Sequence, residues 1–405
     1  MDSLLNAAAR ALSAGDPLSA LKRISLREDA PAVAMRGIAM AQLGDHGKAR
    51  ALLRLARRRF GARAAVAQAR CQLAEAEVCF ATRELQSFPQ GFESSLRVLE
   101  ARGDARNALH GRLLLVRRAL LLGRVDAASA LLEPLELDEA PAALRAIAAL
   151  CRAELQQRRV RAAEAAATLD QALLLADAAR IPALRLEVES ARQLAARPAA
   201  RLLGRDREAL LTLADVEALF AGGALIVDGC SRSLKSGTKS VKLARRPVLF
   251  ALLEGLARHP DGTTREALIT QAFGARRSND THRARLRVEI GRLRKLVRPV
   301  CGLEATPTGF RLVPRSGEEV VLFLPPLPGS TGALQALLAD GQAWSTSALG
   351  LALGESQRNV QRSLAELEAG DQVRAVGRGR AQRWVSAPLS GFTTTLLLPL
   401  NVTDS

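Results

Sequence analysis

Arginines crowd one segment in the middle of this chain, at residues 281–297, where the sequence reads THRARLRVEIGRLRKLV. Apolar residues recur there at helical spacing, which predicts a helix with one buried face made by Leu286, Ile290, Leu293 and Val297. The cations of such a helix point outward. Guanidinium groups bind phosphates and can pair bidentately with the O6 and N7 acceptors of guanine. The segment therefore carries the chemistry needed to contact a nucleic-acid duplex.

Neighbouring segments predict the elements that position this helix. Alternating residues at 225–229 and 239–243 flank a turn and indicate a β-hairpin. An apolar helix is expected at 248–256. Thr264 can cap the next helix, which ends at Gly274. A short strand pair around EATPTGFRLV follows the arginine-rich helix. Two helices joined by a turn and followed by a β-ribbon describe a winged helix-turn-helix.

This order of segments resembles the OmpR/PhoB-type effector domain of bacterial transcription regulators. The resemblance covers residues 224–315, and its matching segments are VKL, VLFALLEGLARHPDG, TTREALITQAFG, RLRVEIGRLRKLV and TPTGFRLVP. Two departures are visible. The N-terminal sheet is predicted to be shorter than in the family, and Ala244-Arg245-Arg246-Pro247 stands where a polar cap is usual.

The resemblance implies that the arginine-rich helix enters the major groove and that the wing, around 306–311, reaches the minor groove. The first half of the helix would lie nearest the base edges, with Glu289 accepting from cytosine N4; the base-contacting candidates are Arg283, Arg285, Arg287 and Glu289. The remaining candidates would contact the DNA backbone, chiefly its phosphates: Arg292, Lys295, Arg298, Arg265, Thr308 and Arg311. Alternatively, Arg292 or Arg294 pairs with Glu266 or Glu289 inside the domain.

Residues 331–388 predict a second domain, similar to the winged helices of MarR and DeoR repressors. Three short helices are expected, the third capped by Ser356, followed by a hairpin in which Trp384 lies in the core. This resemblance implies DNA contacts from Gln357, Arg358, Asn359, Gln361, Arg362 and the hairpin tip, Arg378 and Arg380. Docking on another protein is the alternative, because this segment is nearly uncharged.

Residues 1–200 are rich in Ala, Leu, Arg and Glu and predict helices throughout. Glycines recur at Gly15, Gly44 and Gly123, and the segments 37–56 and 108–132 resemble tetratricopeptide repeats. A third unit at 155–174 is degenerate, with Arg158 in place of the glycine. A helical-repeat solenoid is expected, with an ordinary helical bundle as the alternative. It would bind a protein, peptide or small effector, or hold a dimer. The arginines at 57–59 are interpreted as a solvated helix end.

Three further segments complete the predicted organisation. Residues 201–223 are expected to form a helical connector, and 316–330 a linker containing PPLPG. The last residues, 389–405, alternate like a strand but have no predicted partner. The expected fold class is therefore mostly α, with an α-helical repeat solenoid followed by two α+β winged helix-turn-helix domains.

Charge favours a polyanionic partner. The formal net charge is +17, and residues 222–315 hold 19 Lys and Arg against 7 Asp and Glu. Residues 316–405 hold 6 against 8. Because the excess is concentrated in one segment, a uniform genomic preference for arginine does not explain it. The sequence therefore predicts binding to double-stranded DNA.

The sequence carries none of the common catalytic or metal-binding patterns. The sequence has no phosphate loop, no G-x-S-x-G, no H-E-x-x-H and no C-x-x-C, and its four histidines are far apart. We expect no enzyme activity, no cofactor and no metal. The five scattered cysteines indicate buried thiols of a reduced protein. No signal segment or membrane span is predicted, so a cytoplasmic location is expected. The competing interpretation is a scaffold whose winged helices and helical repeats dock on other proteins.

Overall fold

A computed structural model describes residues 3–61, 63–82, 88–203, 208–275, 279–315, 317, 319–339, 343–370, 372–377 and 379–386. The chain is mostly helical, with a helical N-terminal half and small sheets in the C-terminal half, as predicted. It divides into two compact units. The first unit comprises Met1–Leu155 and Ala165–Arg192. The second unit comprises Gln156–Glu164 and Gln193–Ala387. The predicted C-terminal tail at 389–405 lies outside the described residues.

Eleven helices fill the described part of the N-terminal half, and from the first to the eighth each packs against the next along the chain. Four of them begin at an aspartate whose carboxylate accepts a backbone N–H of the first turn: Asp16, Asp29, Asp45 and Asp104. The helices are α1 (Ser3–Ser13), α2 (Pro17–Ile24), α3 (Ala30–Gln42), α4 (His46–Arg59), α5 (Ala65–Ala81), α6 (Phe92–Ala101), α7 (Ala105–Leu121), α8 (Val125–Leu132), α9 (Ala142–Arg158), α10 (Ala162–Ala179) and α11 (Pro182–Ala195).

Left-handed residues join helices at the predicted glycines. Gly15, Gly44 and Gly123 have φ of 75°, 85° and 69°, which a residue without a β-carbon adopts without strain. Between α9 and α10 the left-handed residue lies two positions after the one predicted. Val160, not Arg158, takes this place, with φ of 57°. Its side chain is partly buried against the core that contains Phe323.

Charged pairs are buried inside the helical half. Arg117 of α7 donates to Glu187 of α11, and their side chains are only 6% and 1% exposed. His110 Nε2 lies 2.6 Å from Glu77 Oε1, also in the interior. Removing one member of such a pair leaves an uncompensated buried charge or polar group. These pairs therefore fix how α5, α7 and α11 pack.

A mixed six-stranded sheet opens the second half. Its order is β2-β1-β9-β3-β4-β5, with β3 and β9 parallel and the other neighbours antiparallel. Buried apolar residues from both faces contribute to two cores. The strands are β1 (Ala200–Leu203), β2 (Glu208–Leu211), β3 (Leu225–Asp228), β4 (Ser233–Ser236), β5 (Lys239–Lys242) and β9 (Val320–Leu324), and α12 (Leu213–Ala221) lies between β2 and β3.

Three predictions about this region were wrong. The segment 201–223 is not a helical connector, because β1 and β2 pair antiparallel and, of its described residues, only those of α12 are helical. The segment 316–330 is not merely a linker, because β9 pairs with β1 on one side and β3 on the other. The sheet is accordingly larger than predicted, and β4 lies between the two strands assigned to one hairpin. Pairing between distant strands overrides the helix preference of 200–211.

Three helices and a small sheet follow. The helices α13 (Pro247–Arg258), α14 (Arg265–Phe273) and α15 (Asp280–Val297) contact one another around Leu252, Leu268 and Leu293, all fully buried. The sheet has the order β6-β8-β7, from β6 (Thr263–Thr264), β7 (Gly302–Ala305) and β8 (Gly309–Val313). We call residues 199–324 the central domain.

The C-terminal domain, residues 329–386, contains three helices and a hairpin. They are α16 (Gly329–Leu338), α17 (Thr346–Leu353), α18 (Gln357–Ala369), β10 (Val373–Val376) and β11 (Arg383–Ser386). Trp384 is 8% exposed and its indole N–H donates to Thr346 at 3.1 Å, which confirms its predicted place in the core. Ser345 and Ser356 cap α17 and α18, the latter as predicted.

Candidate nucleic-acid interface

Capping residues define the two helices of the candidate interface. The Thr264 hydroxyl accepts from the Ala267 N–H at 3.2 Å, and Gly274 ends α14 with φ of 66°. The Asn279 side chain accepts from the His282 N–H at 2.8 Å and starts α15. These ends confirm the predicted cap of α14, the predicted stop at Gly274, and the predicted extent of α15 to within one residue.

The predicted apolar face of α15 is buried. Leu286, Ile290, Leu293 and Val297 are each at most 2% exposed and join the core formed with α13 and α14. Because these residues recur every three or four positions, they occupy one side of the helix. The opposite side of α15 therefore faces away from the domain.

That opposite side carries small and apolar residues, which the sequence analysis did not single out. Ala284, Val288 and Gly291 recur at intervals of four and three, and we call them the outer strip; the candidate Lys295 follows on the same side, four positions after Gly291. Val288 is 54% exposed, and a β-carbon added to Gly291 would meet no atom within 4 Å. The sequence signal that could have identified these residues is their helical position opposite the buried stripe. The outer strip leaves the helix backbone accessible to a partner.

Cations flank the outer strip on both sides. Arg287 and Arg298 lie on one side, and Arg285 and Arg292 on the other. Within the described part of the chain, no acidic side chain pairs with Arg285, Arg287, Lys295 or Arg298. The Arg285 guanidinium lies over the Phe273 ring, 4.5 Å from its centroid, which positions it beside the end of α14. Four positive charges are thus open to an anionic partner.

Other candidates on α15 already have partners. Arg292 pairs with Glu289 at 2.8 Å, as one of the alternatives foresaw, and the Glu289 side chain is only 14% exposed. Arg283 lies 3.5 Å from Asp280, and Arg294 donates to the Leu303 carbonyl at 2.9 Å. Glu289 is therefore less suited to accept from a base than its sequence position indicated, because its carboxylate is committed to Arg292.

The turn between β7 and β8 is held from the side by Arg265. Its guanidinium donates to the Pro307 carbonyl at 3.0 Å and lies 5.6 Å from the Phe310 ring centroid. Thr308 is exposed at the tip. Arg265 was predicted to contact phosphate, and in the structure its guanidinium also holds the turn. The predicted phosphate contact Arg311 is paired with Glu304 across the two strands at 3.0 Å.

The C-terminal domain presents the first turns of α18. Val360, Leu364 and Leu367 are buried as predicted, whereas Gln357, Arg358, Asn359, Gln361 and Arg362 are exposed. Arg358 and Arg362 are four positions apart, so they share one face of the helix. The second half of α18 carries Glu366 and Glu368 instead. Arg378 and the side chain of Arg380 lie outside the described residues.

Arg232 fixes the C-terminal domain to the central domain. Its backbone has φ of 50°, its guanidinium lies 5.3 Å from the Phe250 ring centroid, and it donates to the Ala352 carbonyl near the end of α17. Burial lowers the pKa of the Arg232 guanidinium below its ordinary value. Ala244 also packs against the core of the C-terminal domain. The orientation of α17, and with it α18, is therefore set by specific contacts.

No group of His, Cys, Asp and Glu suited to holding a metal ion occurs among the described residues. Across the described helices, none has the length and apolar character needed to cross a membrane. No protein-family model matches the chain, and no curated protein matches it. The geometry of the interface itself is therefore the basis for assigning a function.

Proposed function

We propose that this protein is a sequence-specific, double-stranded DNA-binding transcription regulator that reads the major groove through α15. The observation that carries the proposal is the exposed side of α15, where unpaired cations flank a strip without bulky side chains. A duplex groove lined by phosphates complements this arrangement, because the cations reach the phosphates while the strip approaches the base edges. In this proposal the central domain is a winged helix-turn-helix of the OmpR/PhoB type, with β7 and β8 as its wing.

The remaining parts take supporting roles in the same proposal. The C-terminal domain is a second winged helix that presents Arg358 and Arg362 to DNA. The N-terminal helices form tetratricopeptide-like repeats that receive an input or hold a dimer. The chain order of α14, α15 and the β7–β8 hairpin supports the winged-helix assignment of the central domain. The glycine turns between helix pairs support the tetratricopeptide-like assignment of the N-terminal helices.

A second candidate function applies to the C-terminal domain. Its α18 becomes acidic after the first two turns, and residues 316–405 have a net charge of −2. A surface of mixed charge suits protein docking better than DNA binding. In this alternative the central domain alone contacts DNA and the C-terminal domain recruits another protein.

The test is equilibrium binding of the full chain to duplex DNA across a salt series. Four phosphate contacts predict a slope of about −3.6 in log affinity against log salt. Replacing Arg285 and Arg287 with alanine should reduce affinity and make the slope shallower, whereas Arg97→Ala with Arg106→Ala removes the same charge elsewhere and should change neither. Salt-independent binding, or equal loss in both double variants, would contradict the proposal.

A further inference from the structure

A polar cavity lies within the helical half, far along the chain from the proposed DNA interface. Its volume is about 460 Å³, within the range of small-molecule sites. It is bordered by the end of α4, the first turns of α5 and the first turns of α6. Arg57, Arg58, Gln72, Ser94 and Ser95 contribute its polar lining.

Two arginines in the lining have no acidic partner among the described residues. Arg57 is half-buried and Arg58 is exposed, while the next residue, Arg59, is engaged with Glu28 at 2.9 Å. The three arginines occupy the last turn of α4 as predicted, and Arg58 and Arg59 are exposed there, whereas Arg57 is half-buried. Among the described residues of the lining there is no Asp or Glu. The described lining thus carries two positive charges and no negative charge.

The other polar groups add hydrogen-bond donors without adding negative charge. Gln72 donates to the Gln90 carbonyl at 2.6 Å and accepts from the Ser95 hydroxyl, so this wall is held in one arrangement. Ser94 is exposed at the first turn of α6, whose N-cap is Gly91 and has no side-chain cap. Val98 and Ala69 give the cavity an apolar side.

We propose that this cavity binds a small molecule that carries a phosphate group. Two guanidinium groups and the exposed Ser94 hydroxyl are donors that recognise a phosphate dianion, and the described lining carries no carboxylate, which favours a double over a single negative charge on the ligand. The volume exceeds that of a phosphate ion alone, so the remainder accommodates the body of the molecule against Val98. The ligand would act as an effector of the helical half, independently of whether the central domain binds DNA.

The test uses the full chain with inorganic phosphate, adenosine monophosphate and adenosine as probes, at constant ionic strength. Binding is measured by phosphorus and proton NMR. We expect saturable binding of the two phosphate-bearing probes and none of adenosine. Arg58→Ala removes an exposed side chain without loss of packing and should weaken binding about tenfold, as expected for a lost charge-assisted hydrogen bond. Arg106→Ala, an exposed arginine away from the cavity, should leave binding unchanged.

Two results would overturn the inference. One is the absence of saturable phosphate binding in the unaltered chain. The other is equal effects of Arg58→Ala and Arg106→Ala, which would indicate unspecific attraction to a basic protein. Displacement of the bound probe by duplex DNA, sensitive to Arg58→Ala, would assign the cavity to nucleic acid instead. DNA binding measured separately by salt dependence distinguishes failure of this inference from failure of the proposed function.

Discussion

Gly291 offers a direct test of whether α15 approaches DNA closely. It lies in the interior of a helix of 18 residues, and an added β-carbon there would meet no atom within 4 Å. Three other helix glycines have internal reasons to be small, since a β-carbon on Gly37, Gly111 or Gly255 would collide with a neighbouring side chain. Alanine is more favourable than glycine inside a helix by about 0.8–1 kcal/mol. Gly291→Ala should therefore make α15 about 1 kcal/mol more stable.

The same substitution should weaken DNA binding. A methyl group on the outer strip would occupy space that the groove surface fills in the complex, and we expect about a tenfold loss of affinity, equivalent to roughly 1.4 kcal/mol. Helix stability is measured by amide hydrogen exchange of α15, which should slow about fivefold. DNA affinity is measured by fluorescence anisotropy with a selected site. Gly47→Ala is the matched control, because its β-carbon would meet only Asp45 Oδ1 at 4.0 Å and α4 lies in the helical half.

A gain in helix stability together with a loss of DNA affinity would indicate that Gly291 is small because DNA approaches it closely. If Gly291→Ala slows exchange but leaves DNA affinity unchanged, the outer strip does not face the groove and the assignment of α15 is wrong. If both glycine variants weaken DNA binding alike, the effect does not originate at the interface. The comparison requires only that the variants are more stable than the unaltered chain, so loss of folding cannot imitate the expected result.

Two further predictions concern the outer strip and the buried ion pair. Val288, which is 54% exposed, should contact a thymine methyl group. Replacing thymine by deoxyuridine in the selected site should therefore lower the DNA affinity of the unaltered chain but not that of Val288→Ala. Equal loss of affinity in both proteins would refute this contact. Glu187→Ala should destabilise the helical half by about 3–5 kcal/mol in chemical denaturation, because the buried Arg117 guanidinium loses the carboxylate to which it donates. Glu189→Ala, which breaks the exposed pair with Arg185, should cost at most about 1 kcal/mol, and similar losses in the two variants would mean that burial of the first pair contributes nothing.

Local patterns predicted the helices of the interface well. Thr264, Gly274 and the apolar stripe of α15 each act within one or two helical turns, so their sequence spacing is sufficient to place them. The same holds for the glycine turns at Gly15, Gly44 and Gly123. Whether the central domain is a winged helix and binds DNA stays a prediction, because it concerns a partner and a family resemblance rather than local structure.

The large sheet could not be predicted in the same way. Its strand β9 pairs in parallel with β3, and Leu225 is opposite Val320, at a separation that no local pattern encodes. The short strands β1 and β2 consist largely of good helix formers, so their pairing is visible only in three dimensions. The partners of individual charged side chains could not be predicted either. The spacing of Glu289 and Arg292 permits an ion pair, but only the fold decides between that pair and contact with a base.

The charge excess of the central region overstates the number of DNA contacts that it can make. Eight cations were expected to contact DNA in the central domain. Four of them are engaged inside it, namely Arg283 with Asp280, Arg292 with Glu289, Arg311 with Glu304, and Arg265 with the turn. Redirecting an exposed pair to phosphate costs little by itself, but it leaves a carboxylate facing the DNA, which opposes binding. The salt dependence should therefore correspond to the four open cations, with a slope of about −3.6, rather than to about −7.2 for all eight.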